Sequence, residues 1–254
     1  AILWGLVQGL TEFLPISSSG HLVIIPAYLD RLGWDIAPPS LAVSAVLHLG
    51  TLAAVLVYFR SDVMKVLRFR SDAEGRTIAL LVAIGTIPAI VGLPLKDTLD
   101  AFQGTVSNVG WTLMLTGVIL AIGQRLASGM RQLGDGRIAD AIVIGIAQAF
   151  ALIPGISRSG ITIAAGSGRG FEPTQAARFS FLLGIPAIAA AGLSQLPDLI
   201  DSGEFGIDLM VAMVVAGLAG YFAIAWLLSA LRRVGLGPFA IYCLAIGLLT
   251  VIVF

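Results

Sequence analysis

The sequence predicts an all-α integral membrane protein: six transmembrane helices plus two re-entrant broken-helix segments, arranged as inverted repeats. Three observations predict it. First, 57% of the 254 residues are hydrophobic and only 12% are charged, with a mean hydropathy of +0.97. A soluble domain uses about 25% charged residues to cover its surface. Second, apolar runs of the length that spans a bilayer core, about 17–25 residues, recur along the chain. Third, the chain matches itself after a shift of 140 residues. The zero net charge gives no overall pull toward nucleic acid, so none is expected as a partner. A single cysteine, Cys243, rules out an intramolecular disulfide framework.

Taken in order, six segments are long enough to span: 40–59, 77–93, 109–124, 174–193, 209–228 and 238–254. Two more, 1–30 and 139–168, are apolar but broken by "PISSSGH" at 15–21 and "PGISRSG" at 154–160. Pro88, Pro94 and Pro186 are expected to kink or end helices. Loop 60–76 holds Arg60, Lys65, Arg68, Arg70 and Arg76, loop 125–138 holds Arg125, Arg131 and Arg137, and loop 229–237 holds Arg232 and Arg233. Basic loops stay inside, which leaves loop 94–108, with one lysine, and the acidic loop 194–208 outside. Segment 139–168 then starts and ends inside, so it enters the membrane and turns back.

The self-match decides how segment 1–30 behaves. The 140-residue shift pairs Ala1, Ile2, Gly5 and Gln8 with Ala141, Ile142, Gly145 and Gln148. It also pairs Ile16, Ser17, Ser19 and Gly20 with Ile156, Ser157, Ser159 and Gly160. A shift of 134 continues the match from Pro39, Leu49 and Gly50 to Pro173, Leu183 and Gly184. Segment 1–30 is therefore also re-entrant, from the outside. The chain is one membrane domain, 1–254, with repeat A at 1–124 and repeat B at 139–254. Broken helices in inverted repeats meet near the midplane and build a site there, and their half-helix N-termini suit anions.

The breaks carry the chemistry. Glu12 is the only acidic residue in the first 29, with Gln8 one turn earlier on the same face. An intramembrane ionisable group is a functional hypothesis by default. Glu12 is read as a divalent-cation ligand with Gln8, as a general base toward a hydroxyl, or as a structural partner of Arg158. Arg158, at the tip of the second break, is read as a bidentate clamp on an anion or as a structural pair with Glu12. Ser157, Ser159, Gly155 and Gly160 around it would form a backbone-rich anion cradle. Ser17, Ser18 and Ser19 could bind the anion, cap the following helix, or supply a nucleophile. Beside them, His21 is a general acid–base or nucleophile candidate. His48 is read as structural. Thr162 reaches either the anion or its own helix backbone. The absence of GxxxxGK[ST], HExxH and CxxC patterns leaves ATP-driven and zinc mechanisms unsupported.

These residues resemble a known family. "QGLTEFLPISSSGH" (8–21) is similar to the (E/Q)xxxE motif and trailing serine stretch of the BacA-type undecaprenyl-diphosphate phosphatases, a family tied to bacitracin resistance. "PGISRSGIT" (154–162) fits that family's PGxSRSxxT motif, and "LHLGTLAAVLVYF", "GYFAIAWLL" and "PFAIY" extend the likeness over nearly the whole chain. The resemblance implies an inner-membrane enzyme of bacterial cell-wall synthesis. It would recycle the lipid carrier by removing the terminal phosphate of undecaprenyl diphosphate, at a site reached from the periplasm. It implies a divalent cation, Mg²⁺ or Ca²⁺, and a polyprenyl diphosphate lipid as substrate. It carries Glu12 over as an essential carboxylate, Ser18 and His21 as the catalytic pair, and Arg158 as the diphosphate clamp. Ser157, Ser159 and Thr162 carry over as phosphate-contacting hydroxyls. Gln8 replaces the motif's first carboxylate and brings no charge to a metal site, and Cys243 stands where many relatives have arginine. A homodimer is a further candidate assembly. Three routes stay open: attack by Ser18, attack by His21, or direct attack by water. Architecture alone would favour a secondary transporter or flippase for an anionic or phosphorylated lipid, and the carboxylate, histidine, arginine and hydroxyls at the breaks favour an enzyme.

Overall fold

The computed structural model describes residues 2–92, 94, 105–194, 197 and 206–254. Among these the chain forms 11 α-helices and no strand. They are α1 (Ile2–Phe13), α2 (Ser18–Arg31), α3 (Leu41–Tyr58), α4 (Arg60–Leu67), α5 (Ala73–Gly92), α6 (Val106–Leu126), α7 (Ile138–Phe150), α8 (Arg158–Gly168), α9 (Pro173–Ser194), α10 (Ile207–Arg233) and α11 (Gly237–Val253).

Both interrupted segments are broken helices. α1 gives way to α2 across residues 14–17, and α7 to α8 across 151–157. The serines restart the helices. Ser17 Oγ accepts from Gly20 N (3.2 Å) and Ser157 Oγ accepts from Gly160 N (3.1 Å), which satisfies one orphan donor at each N-terminus.

Among the described residues, α5, α6, α9 and α10 are long and apolar enough to cross a bilayer. α3 joins them if it is counted with α4, which follows at an 80° bend. α11, with 17 residues, is shorter. Length and apolarity thus give four to five spans where the sequence predicts six, because one segment bends and the last is short. Loop 60–76 is also more ordered than expected, since α4 occupies much of it. Pro88 and Pro186 lie inside α5 and α9 and do not end them. The two loops assigned to the outside fall largely beyond the described residues. Large apolar side chains such as Trp111, Ile122, Phe222, Trp226, Ile241 and Ile252 are exposed on the outer faces. An apolar exterior of this extent suits lipid.

Glycines let the helices touch. A Cβ at Gly9 would lie 2.5 Å from Ala216 O of α10, and one at Gly145 would lie 2.6 Å from Gly85 O of α5. Small residues at such crossings are how membrane helices pack closely. The pairings come in matched sets: α1 packs on α10 as α7 packs on α5, and α3 packs on α10 as α9 packs on α5. α6 packs on α11, and α3 on α9.

The three basic loops gather at one end. Arg178, near the start of α9, pairs with Asp62 and with Glu74 (2.9 Å), and Arg131 and Arg169 both pair with Asp140 (2.7 and 2.8 Å). Gln175 Oε1 accepts from Leu133 N, tying α9 to loop 125–138. Gln124 Oε1 accepts from Leu236 N and Gly237 N, tying the α10–α11 turn to the end of α6.

Candidate active site

The first residues of α2 and α8 meet in one cavity of about 210 Å³. It is lined by Glu12, Ser17, Ser18, Ser19, His48, Ser157 and Arg158, with an apolar wall from Ala151, Ile156, Ala187, Ile188 and Ala191. Two helix N-termini therefore face the same space, and their free N–H groups and dipoles favour an anion there. Phe13, next to Glu12 in sequence, is fully buried against Phe181 (edge-on, 5.5 Å).

Glu12 organises the polar groups. Its Oε2 accepts from Ser18 Oγ (2.7 Å) and from Gln8 Nε2 (3.0 Å), and its Oε1 accepts from Arg158 Nη2 (2.9 Å). The Ser18–Glu12 contact has the reach of a nucleophile and its base. Arg158 also donates from Nη1 to Ser180 O (3.4 Å). Gly184 makes room for it, since a Cβ there would lie 2.1 Å from Nη1. Two readings of the pair that the sequence set against each other are thus compatible. Arg158 is bonded to Glu12 and lines the cavity at once.

The backbone at the breaks is unusual. Ser17 has φ +71°, a left-handed conformation rare for a residue with a side chain. Gly155 has φ +87°, and a Cβ there would collide with Thr112 Oγ1 at 1.9 Å. Gly155 N donates to Ser19 Oγ (3.4 Å), and Ser159 Oγ donates to Leu14 O (3.1 Å), so the two breaks hold each other. Thr116 Oγ1 braces the second break, donating to Gly155 O (3.2 Å) and accepting from Ser157 N (3.1 Å). Strain over-determined in this way is common where a site must be pre-shaped.

Several expected residues stand outside the cavity. His21 is buried, with Nδ1 on Ser17 O (2.7 Å) and Nε2 on Tyr242 OH (2.7 Å), and its ring stacks on Tyr242. A carbonyl only accepts, so Nδ1 carries the hydrogen and neutral His21 accepts from Tyr242. Both ring nitrogens are therefore committed. Thr162 Oγ1 donates to Arg158 O (2.7 Å) and pairs with Ser180 Oγ (2.6 Å). Of its two readings, the backbone contact is the one present. Ser159 and Gly160 support the break without lining the cavity. Gln8 lines an adjoining cavity of about 280 Å³ instead. His48, read from sequence as structural, lines both cavities. Gly184 and Thr116 carried no sequence signal beyond Gly184's match to Gly50, and Tyr242 stood out only as the last residue of "PFAIY". Cys243 is buried, with Sγ donating to Pro15 O (3.7 Å), and lies behind the first break.

Comparison with known proteins bears on this geometry. The profile of a family described as "Bacitracin resistance protein BacA" matches residues 1–249. A protein of Halothermothrix orenii named "Undecaprenyl-diphosphatase" is 39% identical over 99% of this chain and 96% of its own length. Proteins of the same name from Thermomicrobium roseum and Chlorobaculum parvum are 40% and 41% identical, over 100% and 99% of this chain and 96% and 95% of theirs.

Proposed function

Because the chain belongs to the bacitracin resistance protein BacA family, we propose that it is an integral membrane undecaprenyl-diphosphatase, which hydrolyses undecaprenyl diphosphate to undecaprenyl phosphate and orthophosphate. One observation carries the chemistry: Ser18 Oγ, Glu12 and Arg158 are joined at the meeting point of two helix N-termini. Phosphoryl transfer needs charge neutralisation and alignment above all, and these groups supply both.

In the proposed route the diphosphate enters the cavity and its oxygens engage Arg158, Ser157, Ser19 and the N–H groups heading α2 and α8. Ser18 Oγ attacks the terminal phosphorus and passes its proton to Glu12 Oε2. The bond from phosphorus to the bridging oxygen breaks, and undecaprenyl phosphate leaves. Water then releases orthophosphate from Ser18, and Glu12 returns the proton to Ser18 Oγ.

A divalent cation fits these residues in a limited way. Gln8 Oε1 is buried and has no hydrogen-bond partner among the described residues, and Glu12 is beside it. No group of three or more His, Cys, Asp or Glu that could hold a metal occurs among the described residues. Gln8 and Glu12 would hold the ion, with substrate oxygens completing its shell, as Mg²⁺ and Ca²⁺ sites allow. Bound there, it would offset phosphate charge.

His21 acts in this reading as a positioning residue. It holds the carbonyl of strained Ser17, next to the nucleophile, and Tyr242 holds His21. Tyr242→Phe removes one hydrogen bond of about 1 kcal/mol, so kcat is expected to fall roughly fivefold. KM should stay near wild type and the melting temperature should fall by about 2–4 °C, which steady-state kinetics and thermal unfolding in detergent would check.

The six-span inverted-repeat arrangement belongs to the same proposal. The matched helix pairings support it, with α11 completing the count. The clustering of the basic loops supports their cytoplasmic placement. The site then opens to the periplasmic side of the bacterial inner membrane. Phosphate release by the purified protein in detergent, with no second compartment, tests the enzyme reading. Substrate binding without any phosphate release would favour a lipid transporter.

A further inference from the structure

We infer that His48 is a further catalytic residue, whose Nε2 takes the proton from the water that frees phosphate from Ser18. This rests on Ser18 being the nucleophile. α3 brings His48 to the wall shared by the two adjoining cavities, and among the described residues only Ser18, Ser19 and His48 line both. Its Nδ1 lies 2.8 Å from Ser44 O, a carbonyl that can only accept. Nδ1 therefore carries the hydrogen and is turned back to its own helix. Nε2 is left as the outer, lone-pair-bearing atom, with no hydrogen bond to any described residue. An imidazole held in this tautomer is ready to accept a proton.

The route proposed above has a place for such a group. In the first half Glu12 takes the proton of Ser18 Oγ. In that route it keeps the proton until Ser18 Oγ departs, and while it carries the proton it cannot also deprotonate water. Arg158 has no proton-accepting form at working pH. Among the described residues, Glu12, His48 and Arg158 are the titratable side chains that line the cavity, so the second base falls to His48. The step balances. Water oxygen bonds to phosphorus, and one of its protons moves to His48 Nε2. The bond from phosphorus to Ser18 Oγ breaks, Ser18 Oγ regains its proton from Glu12, and His48 yields its proton to the departing phosphate.

The test uses the full chain in detergent and undecaprenyl diphosphate labelled in its terminal phosphate. His48→Gln keeps an amide in place of the ring without its basicity, and His48→Asn gives a second variant of different length. Both should release a burst of undecaprenyl phosphate close to one equivalent per enzyme. Orthophosphate should follow about 10²–10⁴-fold more slowly than in wild type, the usual worth of a general base. Acid-stable label should build up on Ser18. Equal slowing of both products without label on Ser18, or wild-type turnover in both variants, would overturn the assignment. Full turnover by Ser18→Ala would instead remove the covalent route itself, and the base assigned to it, whatever the His48 variants do.

Discussion

Ser18→Ala is expected to lower kcat by about four orders of magnitude or more, the scale seen when a nucleophile is deleted from a concerted site. Ser18 Oγ is 2.7 Å from Glu12 Oε2, so the hydroxyl is already aimed at its base in the resting protein. Diphosphate binding should change little, because Arg158 and the helix N-termini remain. KM, or the Kd of a non-hydrolysable diphosphate lipid, reads that. Glu12→Gln should lose a comparable amount. The double variant should be hardly worse than either single one, since groups that act as a unit are not additive. An alanine variant within tenfold of wild type would return the reaction to direct attack by water. His21 could not take over as nucleophile without giving up both of its hydrogen bonds.

Arg158→Lys is expected to lower kcat/KM by roughly 10²–10³-fold, the scale of losing a donor aimed at transition-state charge. The guanidinium spans two partners, Glu12 Oε1 and Ser180 O, and still lines the cavity. An ammonium is a point charge and cannot copy that fork. Lysine at least keeps a positive charge beside Glu12. Arg158→Ala would leave the buried carboxylate uncompensated, at a cost of about 3–5 kcal/mol of stability. The melting temperature should therefore separate the two variants, and the kinetics should separate Lys from wild type. Near-normal kcat/KM in Arg158→Lys would exclude the clamp.

Much of this site could be read in the sequence. Glu12 and Arg158 each stood alone in an apolar stretch, and a charge there needs a partner. The repeat brought their two segments together, and the structure joins them at 2.9 Å. The capping serines were legible as well, since Ser17 and Ser157 restart their helices in the same way. The histidines were harder. His21 adjoins the serine run in sequence, but its ring turns away toward Tyr242 on α11, a partner 221 residues distant. His48 is far from either break in sequence, and only the placement of α3 beside both cavities brings it in. Spacing along a chain carries no information about such tertiary approaches. The span count was limited in a related way. Composition shows that a stretch is apolar, but not that α3 will turn by 80° into α4.

Under the proposed function, the contact between Glu12 and Arg158 would also govern what can occupy the cavity. Glu12 is already the counter-ion of Arg158, so binding an anion there is an exchange. An incoming phosphate gains only the excess of its hold on Arg158 over the hold that Glu12 already has. Orthophosphate, which is smaller and lacks a second phosphoryl group to reach other donors, competes poorly on those terms. A diphosphate can engage both helix heads and complete the swap. In the proposed reaction the pair would work as a threshold, which keeps the product of the last turnover from lingering where the next substrate must bind.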